Sequence, residues 1–372
     1  MYIKPKIKDM YGVLFLDKLI RVGTGLDYAI EIDNAGGEYT DLFILLKKGV
    51  RFKKIVEQCT LLSEEEVYES IEMLNNMGYI YDVGIEESTI LTDEEKERYK
   101  VNINYFSTFT EQGYSLYSIQ EKIKNANILI FGVGGIGSNI CLALSELGIG
   151  KITAVDYDDV ELSNLNRQVL YDVNSIGKVK IDEAEKRLKL FNPNVNFVGI
   201  NKKISSSKDV DELIKRDNYD MVINVADYPT GFIDYWVNEA CVKNNIPVLA
   251  ALVDKKYGRV YSVVPYKTAC FQCQYIDEVK HNPEYKQELM AVRNATGNST
   301  SYYRAPNGAL GPTCLFQGYF VSYEILRYLL WGEESMLTFN KRFNINFLDF
   351  SQEFDELVKC KECPVCGKEC LE

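Results

Sequence analysis

The chain has 372 residues but a single histidine, His281, in a polar segment that reads as a loop. A hydride transfer assisted by an imidazole would have to use that one side chain. Long apolar runs are also missing: no stretch reaches the ~18 consecutive apolar residues of a membrane span. The N-terminus, MYIKPKIKDMYGVLFLDKLI, interrupts its short apolar run with charges and lacks the cleavage site of a secretory signal. A cytoplasmic protein without membrane association is expected. Positive charge is in deficit, with 42 Lys and Arg against 54 Asp and Glu and a net charge of −12. That balance argues against a non-specific nucleic-acid binder, although a local cluster of Lys and Arg can still hold a nucleotide. Internal repeats and low-complexity segments are lacking, and 46% hydrophobic residues predict a buried core. The ten cysteines do not suggest a small secreted disulfide scaffold in a chain this long. Four fall in two widely separated C-x-x-C pairs, which suits metal binding in a reducing cytoplasm.

The pattern divides the chain into residues 1–95 and 96–372. In the first part VLFLD, LIRVG and YAIEID read as short strands, and EYTDLFILLKKG as a helix stopped by Gly49. VRFKKIVEQC is a second helix. SEEEVYESIEMLNNMGYIY supplies a third, opened by a capping box of Ser63 and Glu66, with Leu74 and Met77 on its apolar face and Gly78 at its end. YIYDV closes a small winged-helix-like α+β module. GIEESTILTDEEKERYK reads as a polar linker. Beyond it, NILIFGV, KITAVD, VNFVGIN, YDMVINVAD and IPVLAALV read as strands. They alternate with the helical stretches KVKIDEAEKRLKLFNP, VDELIKR and PTGFIDYWVNEACVKNN. This alternation predicts an α/β, Rossmann-like, doubly wound and mostly parallel sheet with helices on both faces.

Within ILIFGVGGIGSNI, Gly132, Gly134 and Gly137 satisfy G-x-G-x-x-G, and Asp156 follows at the spacing of a dinucleotide fingerprint. Glycines let backbone amides approach a phosphate, and the following helix N-terminus favours negative charge. Asp156 could accept from ribose hydroxyls. Neither feature separates NAD from ATP, and a tight turn holding no ligand satisfies the pattern as well. The next stretch, DYDDVELSNLNRQVLYDVNSIGKVK, adds Asn164, Arg167, Gln168 and Lys180. An enzyme that splits a triphosphate needs such side chains to bind it and to offset charge as pyrophosphate leaves. Asp227, in NVADYP at the carboxyl end of a strand, could hold Mg²⁺ or cap the helix that follows. Arg167 and Lys180 taken singly could be surface charges, but one site explains all of these residues together.

GVGGIGS, DYDDVELSNLNRQ, GKVK and VADYP, in that order, resemble the ThiF, MoeB and ubiquitin-activating enzyme superfamily over roughly residues 96–372. NRQVL, ADYP, WVNEACVKNNIP, KTACFQCQ and CPVCG are similar to the MccB-type peptide adenylyltransferases within it. The resemblance implies adenylation of a carboxylate with ATP (or CTP) and Mg²⁺ by a homodimer. Carried over by motif, Gly132, Gly134, Gly135 and Gly137 would line the phosphates and Asp156 would hold the ribose. Asn164, Arg167, Gln168 and Lys180 would face the phosphates, and Asp227 would ligate Mg²⁺. These families place an arginine before the first strand of the fold; here that position falls at Val101, with Arg98 and Lys100 as neighbours.

CFQC offers Cys270 and Cys273, and CKECPVCGKEC offers Cys360, Cys363, Cys366 and Cys370. Two C-x-x-C knuckles make a closed, structural Zn²⁺ site. Cys363 and Cys366 form the better second knuckle because the glycine after them suits a tight turn; Cys360 with Cys363 is the alternative. The segment after the first knuckle, YIDEVKHNPEYKQELMAVRNATGNSTSYYRAPNG, has no cysteine. Cys241 and Cys314 lie in helix-like apolar runs that read as core, so no thioester intermediate is expected. The segment itself reads as a mobile loop covering the substrate. The N-terminal module resembles the peptide-recognition elements of ribosomal-peptide modifying enzymes, which add a peptide as an extra strand. A packing or dimerisation domain is the alternative, and its acidic third helix argues against DNA. The combined reading is a nucleotidyltransferase that activates the C-terminal carboxylate of a ribosomal precursor peptide. Adenylation of a ubiquitin-like sulfur carrier, a non-catalytic leader-peptide adaptor and a dehydrogenase are the competing readings.

Overall fold

The computed structural model describes residues 2–23, 29–84, 88, 90–110, 114–295 and 308–367. The chain forms two compact units, Met1–Lys122 and Ile123–Glu372.

The smaller unit contains strands β1 (Pro5–Ile7), β2 (Val13–Phe15), β3 (Leu19–Val22) and β4 (Ile30–Asp33). Helices α1 (Thr40–Lys48), α2 (Phe52–Gln58) and α3 (Glu64–Asn76) follow, then strand β5 (Ile80–Asp82). β2, β3 and β4 form an antiparallel sheet, and β1 pairs antiparallel with β5. Helix α1 buries Leu42, Phe43, Leu45 and Leu46 and ends at Gly49, whose φ of +63° supplies the left-handed cap. The expected capping box opens α3: the Glu66 amide donates to Ser63 Oγ at 3.2 Å, and the Ser63 amide donates to the Glu66 carboxylate at 2.7 Å. Val67, Ile71 and Leu74 make the buried stripe of this helix. Met77, expected on that stripe, is 53% exposed because the helix has ended by then.

Two features of this unit differ from the sequence reading. β1 was not expected; it is three residues long, opens on a proline and stands among lysines. The polar linker is helical over α4 (Asp93–Arg98), which starts from a second capping box, Thr92 with Glu95. Charge disguised it, yet Glu95 is buried because its carboxylate turns back to the Thr92 amide at 2.9 Å. Helices α5 (Lys100–Phe106) and α6 (Ser118–Asn125) follow.

The larger unit runs β6 (Asn127–Phe131), α7 (Gly135–Leu147), β7 (Lys151–Asp156), α8 (Lys180–Phe191), β8 (Asn196–Asn201), α9 (Ser207–Ile214) and β9 (Met221–Asn224). It continues through α10 (Ile233–Lys243), β10 (Val248–Asp254), β11 (Tyr257–Val263), α11 (Phe271–His281), α12 (Glu284–Ala295), α13 (Gly311–Trp331), β12 (Lys341–Asn346) and β13 (Gln352–Glu356). The sheet order is β13-β12-β11-β10-β9-β6-β7-β8. β10 through β8 are parallel, as the strand–helix alternation predicted, and β11, β12 and β13 add an antiparallel extension. The four residues of β9 are buried throughout, as are Ile128–Phe131 of β6, the pattern of strands covered on both faces.

Chain order reverses between β6 and β9, which pair with Phe131 opposite Asn224. Ligands of such sheets bind in the crevice beyond the carboxyl ends of the strands at this reversal. The segment read as a mobile substrate loop is instead helical over α12, and α11 runs on to His281. Its exposed Asn, Lys and Glu residues concealed the helical spacing; residues 296–307 of that segment lie outside the described residues. Among the described residues, no helix is long and apolar enough to cross a membrane.

Candidate functional site

The glycine turn leaves β6 at the strand reversal. Gly132 has φ +93°, and a Cβ there would meet the Ala226 backbone at 3.0 Å, so this glycine lets two loops approach each other. A Cβ on Gly137 would lie 2.0 Å from the Gly132 carbonyl oxygen. Gly137 therefore seats α7 against the turn, and it is not among the residues that line the pocket. Gly134 is different: a Cβ there would meet only Gln168 Nε2, at 3.8 Å, so its backbone faces open space at the start of α7. Room for an anion is thus present where helix amides point.

A pocket of about 950 Å³ lies over these strand ends, within the upper range for a ligand site. Gly132, Gly134, Gly135, Asp156, Asn164, Arg167, Gln168, Lys180 and Asp227 all line it. Asp156 ends β7 and accepts from the Val133 amide at 2.7 Å and the Asp158 amide at 2.9 Å, which ties the glycine turn to the next strand. Burial raises its carboxyl above the ordinary value, while Lys180 and those two amides pull it down. Lys180 opens α8; it is 6% exposed and pairs with Asp158 at 2.9 Å. The Arg167 guanidinium donates to the Ser163 carbonyl at 2.8 Å and to Asn166 Oδ1 at 2.9 Å. Asn164 Oδ1 accepts from the Glu161 amide at 3.1 Å, closing the 3-10 turn Leu162–Asn164 that carries Arg167 into place. Gln168 is 4% exposed, and its Oε1 has no hydrogen-bond partner among the described residues. Such an orphaned buried acceptor at a pocket wall is a place where a ligand or water completes the structure.

Asp227 is exposed on the loop after β9. Helix α10 begins later, at Ile233, with Phe232 at its N-cap, so the capping alternative for Asp227 does not hold. The sequence reading missed Asp158, whose neighbours in the motif hid it, and Asp234, which reads as an ordinary acid in the first turn of a helix. Asp234 lines the same pocket and accepts from Asn224 Nδ2 at 2.7 Å. Desolvation pushes its carboxyl up to about 6, the Asn224 hydrogen bond opposing and Asp227 adding a little. Cys314 is buried, as expected of a core residue, but it also lines the pocket, its Sγ 2.8 Å from where a Gly135 Cβ would stand. Burial raises its thiol, against the pull of Arg167. Cys241 is fully buried. Val101 is 78% exposed on α5. His281 closes α11 instead of lying in a loop, and it is outside the pocket lining.

A second constellation lies elsewhere in this unit. The sulfurs of Cys270, Cys273, Cys363 and Cys366 are buried and all within 4.8 Å of one another. Cys270 Sγ lies 3.6 Å from Cys363 Sγ, and Cys273 Sγ 3.4 Å from Cys366 Sγ. Ligands at about 2.3 Å around a tetrahedral ion stand about 3.8 Å apart, so the four thiols fit such an ion. Cys360 is not in the group; its amide donates to Cys273 Sγ at 3.4 Å. A Cβ on Gly367 would crowd the Lys361 and Cys363 carbonyls at 2.5 and 2.6 Å, which explains the glycine after the second knuckle. Cys370 lies outside the described residues.

Comparison with known proteins gives the family and the fold. A model of the ThiF family matches residues 99–365. The heterocyst HesA protein of Trichormus variabilis is 25% identical over 280 residues, covering 75% of this chain and 91% of its own length. The adenylyltransferase and sulfurtransferase UBA4 of Meyerozyma guilliermondii is 32% identical over 190 residues, 50% of this chain and 42% of its own. Among solved structures, E. coli MccB with ATP has a TM-score of 0.70 at 21% identity, covering 98% of this chain and 100% of that one. The microcin C7 biosynthetic enzyme MccB in complex with N-formylated MccA gives 0.72 at 21% identity, with coverage of 98% and 100%. These structures share the fold. The chain belongs to the ThiF family.

Proposed function

We propose that this protein activates the C-terminal carboxylate of a ribosomally made precursor peptide by nucleotidyl transfer from ATP or another triphosphate, with Mg²⁺ and release of pyrophosphate. The observation that carries the reading is the convergence of every nucleotide residue except Gly137 on one pocket roomy enough for a second substrate. In this reading the amides around Gly134 and Gly135 cradle phosphate, and Asp156, already oriented by two backbone amides, accepts from the ribose. Arg167 and Lys180, held in place by their own neighbours, steady the negative charge that develops as a carboxylate oxygen bonds to the α-phosphorus and the bond to the departing pyrophosphate breaks. Asn164 and Gln168 complete the phosphate wall. Asp227 holds Mg²⁺, which supplies charge neutralisation on the triphosphate. No proton has to be taken from an ionised carboxylate, so the chemistry asks for positioning and charge compensation, not for a histidine.

Residues 1–95 would hold the peptide and residues 96–372 would carry out the transfer. Support comes from the MccB structures, whose fold runs the length of this chain and one of which contains the peptide MccA. The four-thiol cluster would hold a structural Zn²⁺, leaving no open position for chemistry. A homodimer is proposed from the family resemblance. A second reading, activation of a ubiquitin-like sulfur carrier, is favoured by the likeness to UBA4, an adenylyltransferase and sulfurtransferase. Pyrophosphate exchange separates the two. The first reading predicts exchange driven by a short peptide encoded next to the gene, the second by a carrier protein ending in Gly-Gly. Asp227→Ala should abolish exchange while leaving peptide binding intact.

A further inference from the structure

The loop that carries Asp227 begins where β9 ends and finishes where α10 starts. Its two ends are joined by one side-chain hydrogen bond, from Asn224 Nδ2 to Asp234 Oδ1 at 2.7 Å. Asn224 is the last residue of β9, is 3% exposed, and is fixed by its pairing opposite Phe131 of β6 and Ala250 of β10. Asp234 is the second residue of α10. Both line the pocket that contains Asp227.

An ordinary first-turn acid stands in water and favours the helix by its charge. Asp234 does not match that description. Its surroundings desolvate it, with Tyr261 and Tyr285 among the pocket walls and Tyr235 next to it in the chain. An acid in this setting is costly to the fold unless its hydrogen bond is worth having. The bond closes the base of the Asp227 loop, which is further held by the Thr230 hydroxyl donating to the Asp227 carbonyl at 2.9 Å and by Arg293 Nε donating to the Gly231 carbonyl at 2.8 Å.

We propose that the Asn224–Asp234 hydrogen bond is a clamp that sets the position of Asp227, making both of them positioning residues for the metal–triphosphate complex. The inference rests on the assignment of Asp227 as the metal-binding carboxylate. It requires the bond and not the charge: an amide at position 234 still accepts from Asn224, whereas an apolar isostere does not.

The test uses the full-length chain and Mn²⁺ as a paramagnetic probe. Binding of Mn²⁺·ATP is followed by electron paramagnetic resonance, alongside metal-free ATP binding by calorimetry and the melting temperature of each variant. For Asp234→Leu the clamp predicts Mn²⁺·ATP binding weakened about tenfold or more, with metal-free ATP binding unchanged. Asp234→Asn should stay within about threefold of wild type, and Asn224→Ala should behave as Asp234→Leu does. Asp234→Leu with wild-type Mn²⁺·ATP binding and an altered melting temperature would show a merely structural acid and overturn the clamp. Asp234→Asn as damaging as Asp234→Leu would show that the charge matters and would overturn it too. Asp227→Ala is the control for the underlying assignment. If it binds Mn²⁺·ATP like wild type, the metal-ligand reading fails and the clamp with it; if it loses binding while Asp234→Leu keeps it, the clamp alone fails.

Discussion

Gly134 and Gly137 belong to one motif and stand one helical turn apart, yet they meet different surroundings. Gly134 opens onto the pocket, while Gly137 is pressed against a carbonyl oxygen. Alanine should therefore act on function at the first and on folding at the second. Gly134→Ala is expected to keep a near-wild-type melting temperature but to weaken nucleotide binding at least about tenfold. Gly137→Ala should cost about 3 kcal/mol of stability, as overpacking does, measurable by urea unfolding. Asp234 gives a pH signature. Its folded-state carboxyl titrates near 6, above the ordinary carboxylate value, so the folded protein holds a proton that the unfolded chain releases. Its contribution is fully present below about pH 4 and is lost as pH rises through about 6, by up to roughly 3 kcal/mol. The facing groups are Asp227, Asn224 and the phenols of Tyr235, Tyr261 and Tyr285, none of which carries a proton-linked positive charge to reverse that sign. Asp234→Asn should gain stability relative to wild type between pH 4 and 7. Asp156, Arg167 and Lys180 could be singled out in the sequence because each stands in a recurring motif, and the fold brings the three to one pocket. Asp234 was not, since the partner that gives it meaning, Asn224, is joined to it only by the fold.

At the scale of elements, capping chemistry was the most readable signal. Ser63 and Glu66 announced α3 and close the predicted box. Ser63→Ala should lower stability by about 1 kcal/mol, read from the urea midpoint. Thr92 and Glu95 make the same box at α4, but the surrounding acidic run read as a linker. Parallel strands were legible because burial on both faces leaves unbroken apolar runs, as in Ile128–Phe131. The antiparallel extension was not: β12, KRFNIN, buries only Phe343 and Ile345, and β13, QEFDE, is exposed except at the half-buried Asp355, so neither shows an apolar run. α12 hid for a related reason. Its contacts are made by few residues, with Leu289, Val292 and Arg293 packed near Gly231, while most of its surface is polar.

At the scale of the whole molecule, the larger unit carries a pocket over the strand ends and a four-thiol cluster, and the smaller unit a core of its own around Phe43, Ile55 and Leu74. The thiol cluster predicts about one zinc per chain by metal analysis. Cys366→Ser should lose the metal and lower the melting temperature without removing a catalytic group. The two knuckles were readable because paired C-x-x-C spacings far apart in a chain have few uses other than holding a metal; that Cys360 stands outside them required the fold. The central claim, nucleotidyl transfer to a peptide carboxylate, is tested most directly by exchange of labelled pyrophosphate into ATP, CTP and GTP in the presence of the short peptide encoded beside the gene. The account predicts exchange with at least one triphosphate, dependent on that peptide and on its free C-terminal carboxylate, and abolished in Asp227→Ala. Exchange that ignores the peptide and follows a Gly-Gly-terminated carrier protein, or none with any triphosphate, would contradict it.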